Sequence, residues 1–155
     1  GPKTIFAANA STPDKLHPTS LANVTLTDQL LQFATPPGSQ PTSGNHSLGV
    51  IGANISLNAS ADLVGRHNTV SDPLYLYASL FAAQGSFAAI NFAPPPLGEM
   101  RVVGGVLQSE IGSLIVGGKG WSSGYLYDNY LNITPPPIYP PDGRFDITFY
   151  RVTAP

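Results

Sequence analysis

The 155-residue chain is 42% hydrophobic but only 10% charged, with 16 Gly, 16 Pro, no Cys and a formal net charge of −2. An average soluble domain carries about 25% charged residues, so Ser, Thr, Asn and Gln must cover much of this surface, a composition that points to an extracellular setting. The lack of Cys excludes a disulfide scaffold, a thiolate metal site and a Cys nucleophile, and the scattered Lys and Arg form no basic stripe for nucleic acid.

This length fits a single domain, residues 1–155, with a sizeable core. Gly and Pro at this density are hostile to long helices. No apolar run reaches the roughly 18 residues of a membrane span, so the chain implies no membrane contact. A secreted domain without disulfides must hold together by backbone ladders and packing, which favours a bacterial exterior. Gly1 and Pro2 resemble a protease-cleavage scar, and the chain is read as a soluble fragment excised from a longer protein.

In chain order, residues 4–8 and 23–26 have strand character, residues 28–33 suit a helical turn, and residues 36–45 form a Pro/Gly/Ser loop. Next comes an internal repeat. Segments 48–57, 74–83 and 100–109 start 26 residues apart. Aligned, they match Leu48 with Leu74 and Met100, Val50 with Leu76 and Val102, the small residues Gly52, Ala78 and Gly104, and Ile55 with Phe81 and Leu107. Apolar residues alternate before the small residue, the period of a strand with one face inside. A unit of this size suits one coil of a stacked, parallel structure, because a single coil cannot bury its apolar face alone. The expected fold is therefore all-β, a short parallel β-solenoid of about 26 residues per coil. Pro94 to Pro96 and Pro135 to Pro137 mark extended excursions. Asp142-Gly143 turns into residues 144–152, where Phe145, Ile147 and Phe149 alternate with polar positions, a strand expected to cap the stack.

Chemistry-bearing constellations are sparse. Gly120-Trp-Ser-Ser-Gly124 matches the pattern of a hydrolase nucleophile elbow, which requires a strand-to-helix turn followed by a His and an acid; no His follows His67. His17, His46 and His67 lack paired metal-ligand spacing. At the repeat spacing the counterparts of Glu110 are Gln84 and Asn58, so the carboxylates form no stack of the kind a β-helix polysaccharide enzyme would use. Gly117-Gly-Lys119 lacks the leading Gly and the Ser/Thr of a phosphate loop. No cofactor, metal or catalytic residue is expected. Asn9, Asn23, Asn45, Asn54, Asn58 and Asn132 each begin an Asn-x-Ser/Thr sequon. These read either as glycan acceptors or as turn-forming residues.

The aromatics are more informative. Trp121, Tyr125 and Tyr127 fall close together, and Tyr75 and Tyr77 take the outward positions of the middle repeat. Tyr and Trp clusters mark protein interfaces and sugar-binding surfaces, so Tyr75, Tyr77, Trp121, Tyr125 and Tyr127 form the candidate ligand or partner surface. The competing reading has the Tyr-rich segment fold over the wall and cover Tyr77, Ile51 and Val103.

Residues 77–87, Gly104-Gly-Val-Leu-Gln108, Gly124-Tyr-Leu-Tyr-Asp128, Tyr130-Leu131 and Pro135-Pro-Pro137 together resemble the C-terminal domain of bacterial type IV pilus-associated proteins, in which a PilX-type segment precedes a domain of unknown function. The likeness covers about two-thirds of the chain, and the Gly-Tyr phrase is shorter here than in that family. It implies a ComZ-like minor pilin whose β-solenoid is displayed at the cell surface, with other pilus or envelope proteins as partners. The implied roles are adhesion, assembly or DNA uptake, although the charge of this chain does not support DNA binding. The alternatives are a carbohydrate-binding module that stacks surface glycan on exposed aromatics and, less favoured, the β-helix enzyme.

Overall fold

A computed structural model describes residues 3–6, 21–31, 35–39, 47–92, 97–132 and 136. Among the described residues nine strands and one short α-helix follow one another: β1 Lys3–Phe6, β2 Val24–Leu26, β3 Leu48–Gly52, β4 Ile55–Asn58, α1 Ala61–Arg66, β5 Leu74–Ala82, β6 Phe87–Ile90, β7 Gly98–Gln108, β8 Ile115–Val116 and β9 Lys119–Leu126. They form a six-stranded sheet in the order β1-β3-β5-β7-β9-β8 and a three-stranded sheet in the order β2-β4-β6. All pairings are parallel except the β8–β9 hairpin. Gly117 and Gly118 turn that hairpin with φ of 58° and 75°, values that an L side chain resists.

The core lies between the sheets. Val50, Leu74, Leu76, Leu80, Met100 and Val102 from the larger sheet meet Ile55, Leu57 and Phe87 from the smaller one, and Leu63 and Val64 of α1 join them. Strands β4 and β6 alternate buried and half-buried residues, as expected of strands with one face inside. Strand β5 differs: Leu74 to Leu80 are all buried, so it is covered on both faces and reads as a near-continuous apolar run.

The repeat is real where β5 meets β7. Leu74 opposes Met100, Leu76 opposes Val102 and Phe81 opposes Leu107. It fails on either side. Val50 opposes Leu80, not Leu76, and Gly98 opposes Trp121 where a 26-residue step would place residue 124. Segment 48–57 is also split, since β3 ends at Gly52 and β4 enters the second sheet at Ile55.

The expected all-β solenoid of uniform coils is therefore corrected to two parallel and mixed sheets with a helix, an α/β-type arrangement. The physical cause sits between β4 and β5. Ser60 caps α1 by accepting the Leu63 N–H at 3.4 Å, and the helix lengthens that crossover. After β7, the antiparallel hairpin shortens the return instead. Residues 28–33 also differ from expectation: Leu30 forms a parallel bridge to Leu76 rather than a helical turn. The expected capping strand at 144–152 lies outside the described residues.

At the small-residue position of the repeat, Gly104 of β7 has a local cause. Its φ is 149°, and a Cβ there would collide with the Ala78 carbonyl on the neighbouring strand. Gly104→Ala should lower stability by more than the usual ~1 kcal/mol of a point substitution, and Leu76→Ala should cost about 2–5 kcal/mol. Urea titration checks both, and a Leu76→Ala loss below about 0.5 kcal/mol contradicts its central place in the core.

Candidate interaction surface

Alternation along β5 sends Tyr75 and Tyr77 away from the inter-sheet core, and their rings lie 6.0 Å apart at a 32° tilt. They are nevertheless buried, at 8% and 5% exposure, in a small outer cluster with Val103. One source of cover is Leu30 with Pro36 and Ser39. The Leu30 N–H donates to the Tyr75 carbonyl at 2.9 Å, and the Leu30 carbonyl accepts the Tyr77 N–H at 2.8 Å. The Tyr77 hydroxyl then donates to the carbonyls of Pro36 at 3.2 Å and Ser39 at 3.0 Å. Asp128 and Leu131 close in from the far end of the chain. Ile51 is buried too, but its register partner is Phe81, so it stands outside the Tyr77–Val103 column expected to include it. Among the described residues, Leu30, Pro36 and Ser39 meet this face from one side and Asp128 and Leu131 from the other, so the Tyr-rich stretch does not cover it alone.

Burial pushes the Tyr77 phenol above its ordinary pKa of 10.0 and Tyr75 adds to the rise, while backbone hydrogen bonds at Gly38 and Ser39 partly offset it. Ionisation also removes the proton donated to the two carbonyls.

Trp121 is fully buried, and its Nε1–H donates to the Asn58 carbonyl at 3.2 Å, joining β9 to β4 across the two sheets. It is a core residue rather than a sugar-stacking platform. Of the five candidates only Tyr125 and Tyr127 stand exposed, at 60% and 52%. Leu126 between them is also exposed, so the last two residues of β9 and the residue after it form a run of three solvent-facing hydrophobic side chains.

Residues 120–124 lie within β9, not on a turn from strand to helix, so the nucleophile-elbow geometry is absent there. His67 is buried at the end of α1, where its Nδ1 sits 3.7 Å from an Asp72 carboxylate oxygen. His17 and His46 lie outside the described residues. Among the described residues no three His, Asp or Glu gather as metal ligands.

Three sequon asparagines serve as polar rungs between neighbouring turns. The Asn54 amide donates to the Asn23 side chain at 3.0 Å and accepts the Ser86 N–H at 3.1 Å, while Asn58 accepts from Asn91 at 3.1 Å. Asn9 and Asn45 are outside the described residues.

Sequence reasoning missed three contributors: Leu30, and the buried polar residues Ser47 and Asp128. The only signal for Leu30 was its place in a short apolar run. Ser47 and Asp128 gave none, because their burial depends on contacts distant in sequence. No family model, curated protein or solved structure matches the chain.

Trp121→Ala should cost about 3–5 kcal/mol, whereas Tyr125→Ala and Tyr127→Ala should stay within about 0.5 kcal/mol of the parent, as read by denaturant titration. The raised Tyr77 pKa has a definite sign. The folded state keeps a proton that the unfolded chain releases, so this stabilisation is present below pH ~10 and is lost as pH rises through the folded value. Tyr77→Phe should therefore lose less stability than the parent on going from about pH 9 to about pH 11. Identical alkaline losses in the two proteins would show that Tyr77 does not carry the effect.

Proposed function

We propose that the chain is a non-catalytic structural and interaction domain displayed at a bacterial cell surface, a minor-pilin-like component of a type IV pilus or related envelope appendage. The observation that carries the interaction part is the exposed Tyr125, Leu126 and Tyr127 run at the end of β9. Three consecutive exposed apolar residues are unfavourable on a free surface and are commonly retained for contact. The pilus assignment draws its support from the motif resemblance of residues 77–87, 104–108 and 124–128.

Electrostatics favour a protein partner over DNA. Among the described basic residues, Arg66 faces Asp28 and Asp62 at 3.7 and 3.3 Å, which leaves Arg101, bonded to the Val70 carbonyl at 3.2 Å, and Lys119 of β9. Two such cations are few for phosphate contacts, so association through this run depends weakly on salt. Glycan stacking is the second reading, and it now rests on Tyr125 and Tyr127, since Tyr75, Tyr77 and Trp121 are buried.

Immunogold electron microscopy of source cells, with antibodies raised against this chain, tests the proposal. Label on surface filaments or the envelope is the expected result, and label confined to the cytoplasm overturns it. A glycan panel with Tyr125→Ala and Tyr127→Ala separates the second reading. Binding that both substitutions abolish would replace the protein partner with a sugar.

A further inference from the structure

We infer that a small cavity beside the end of β9 is a one-water binding site that links Ser47 to Asp128. The cavity measures about 10 Å³ and is lined by Ser47, Tyr77, Ser79, Val103, Asp128 and Leu131, among others. It therefore touches the approach to β3, the middle of β5 and β7, and the 3₁₀ turn Asn129–Asn132 with the residue before it.

Two observations point to a ligand. Ser47 is 5% exposed, and its Oγ is fully buried with no hydrogen-bond partner among the described residues, Asp128 included. Asp128 is also 5% exposed and borders the same space. Folded proteins rarely leave a buried hydroxyl unpaired, and an ordered water is the usual remedy.

Size and ligand count decide between a water and a metal ion. A cavity of roughly 10–15 Å³ holds one water, which needs two to four polar partners. Calcium takes six to eight oxygens. The side chains of the described lining bring only two serine hydroxyls, one carboxylate and the Tyr77 hydroxyl, the last of which already donates to Pro36 and Ser39. A water fits this set: it donates one proton to the Asp128 carboxylate and pairs with Ser47 through its remaining proton or its oxygen. Asp128 directly follows Tyr127, so the bridge anchors the base of the exposed run to the β3–β5–β7 wall. The site stands apart from whatever partner that run meets.

The first test is a high-resolution crystal structure of the chain. The expected result is an ordered water within hydrogen-bonding distance of both Ser47 Oγ and an Asp128 carboxylate oxygen. A direct Ser47–Asp128 bond, or a density peak with the roughly 2.3–2.6 Å oxygen contacts of calcium, overturns the inference. In solution, unfolding midpoints should be equal in sodium, potassium, calcium and choline chloride at matched ionic strength. A cation-specific rise that Asp128→Asn removes would identify an ion instead. Ser47→Ala and Asp128→Asn should also be non-additive in the double variant, by roughly twofold or more in the folding equilibrium constant, and additive losses count against the bridge. If Asp128→Asn fails to fold, the crystal structure and the salt comparison on the parent chain still decide the matter.

Discussion

The constraint on which the rest depends is the complete enclosure of β5. A strand buried on both faces cannot leave its backbone N–H and C=O groups to water, so each must find a partner in the protein. One edge of β5 is satisfied by β7 along its whole length. The other edge is satisfied by β3 only from Ser79 to Ala82. Leu30 supplies the missing pair of backbone bonds at Tyr75 and Tyr77. On the outer face the Tyr77 hydroxyl also reaches the carbonyls of Pro36 and Ser39. The covering of two tyrosines thus follows from a backbone requirement.

The same economy explains how so few charges suffice. Where successive turns meet, amides and hydroxyls satisfy one another: Asn54 with Asn23 and Ser86, Asn91 with Asn58, and the Gln108 side chain with the Phe87 N–H at 2.8 Å. These neutral bonds avoid the desolvation cost of buried ions. The ion pairs of Arg66 stay at the surface, where screening keeps their contribution small.

Legibility in the sequence followed locality. The register of β5 against β7 was readable because both strands carry the same apolar pattern with a small residue at the same place, Ala78 and Gly104, and the inward placement of Leu76 and Val102 came with it. The β3 register was not, because α1 interrupts the count. A cap at Ser60, an acid at Asp62, the apolar pair Leu63 and Val64 and a base at Arg66 mark that helix, but six residues are too few to stand out from a strand-rich background. The outward direction of Tyr75 and Tyr77 was legible from alternation, whereas their burial was not, since it depends on Leu30 and the turn at Pro36. Trp121 was grouped with its aromatic neighbours. Its side chain instead packs inward on the first half of β9, while the later residues run past the cover.

That change along β9 explains the exposed run. Residues paired across adjacent strands share a face, so Tyr125 belongs to the inward column of Leu30, Leu76 and Val102. Leu126 belongs to the outward column of Tyr77 and Val103. Leu76, Val102, Tyr77 and Val103 are buried, yet Tyr125 and Leu126 are exposed at 60% and 41%. Both faces of the larger sheet lose their cover at the same strand, although the sequence still places apolar side chains on each. Strand β8 pairs only with Lys119 and Gly120, so among the described residues no strand flanks the outer edge of Tyr125 and Leu126. An apolar residue on each face of one strand, beside a flank without a described strand, suits contact with an added layer better than contact with water.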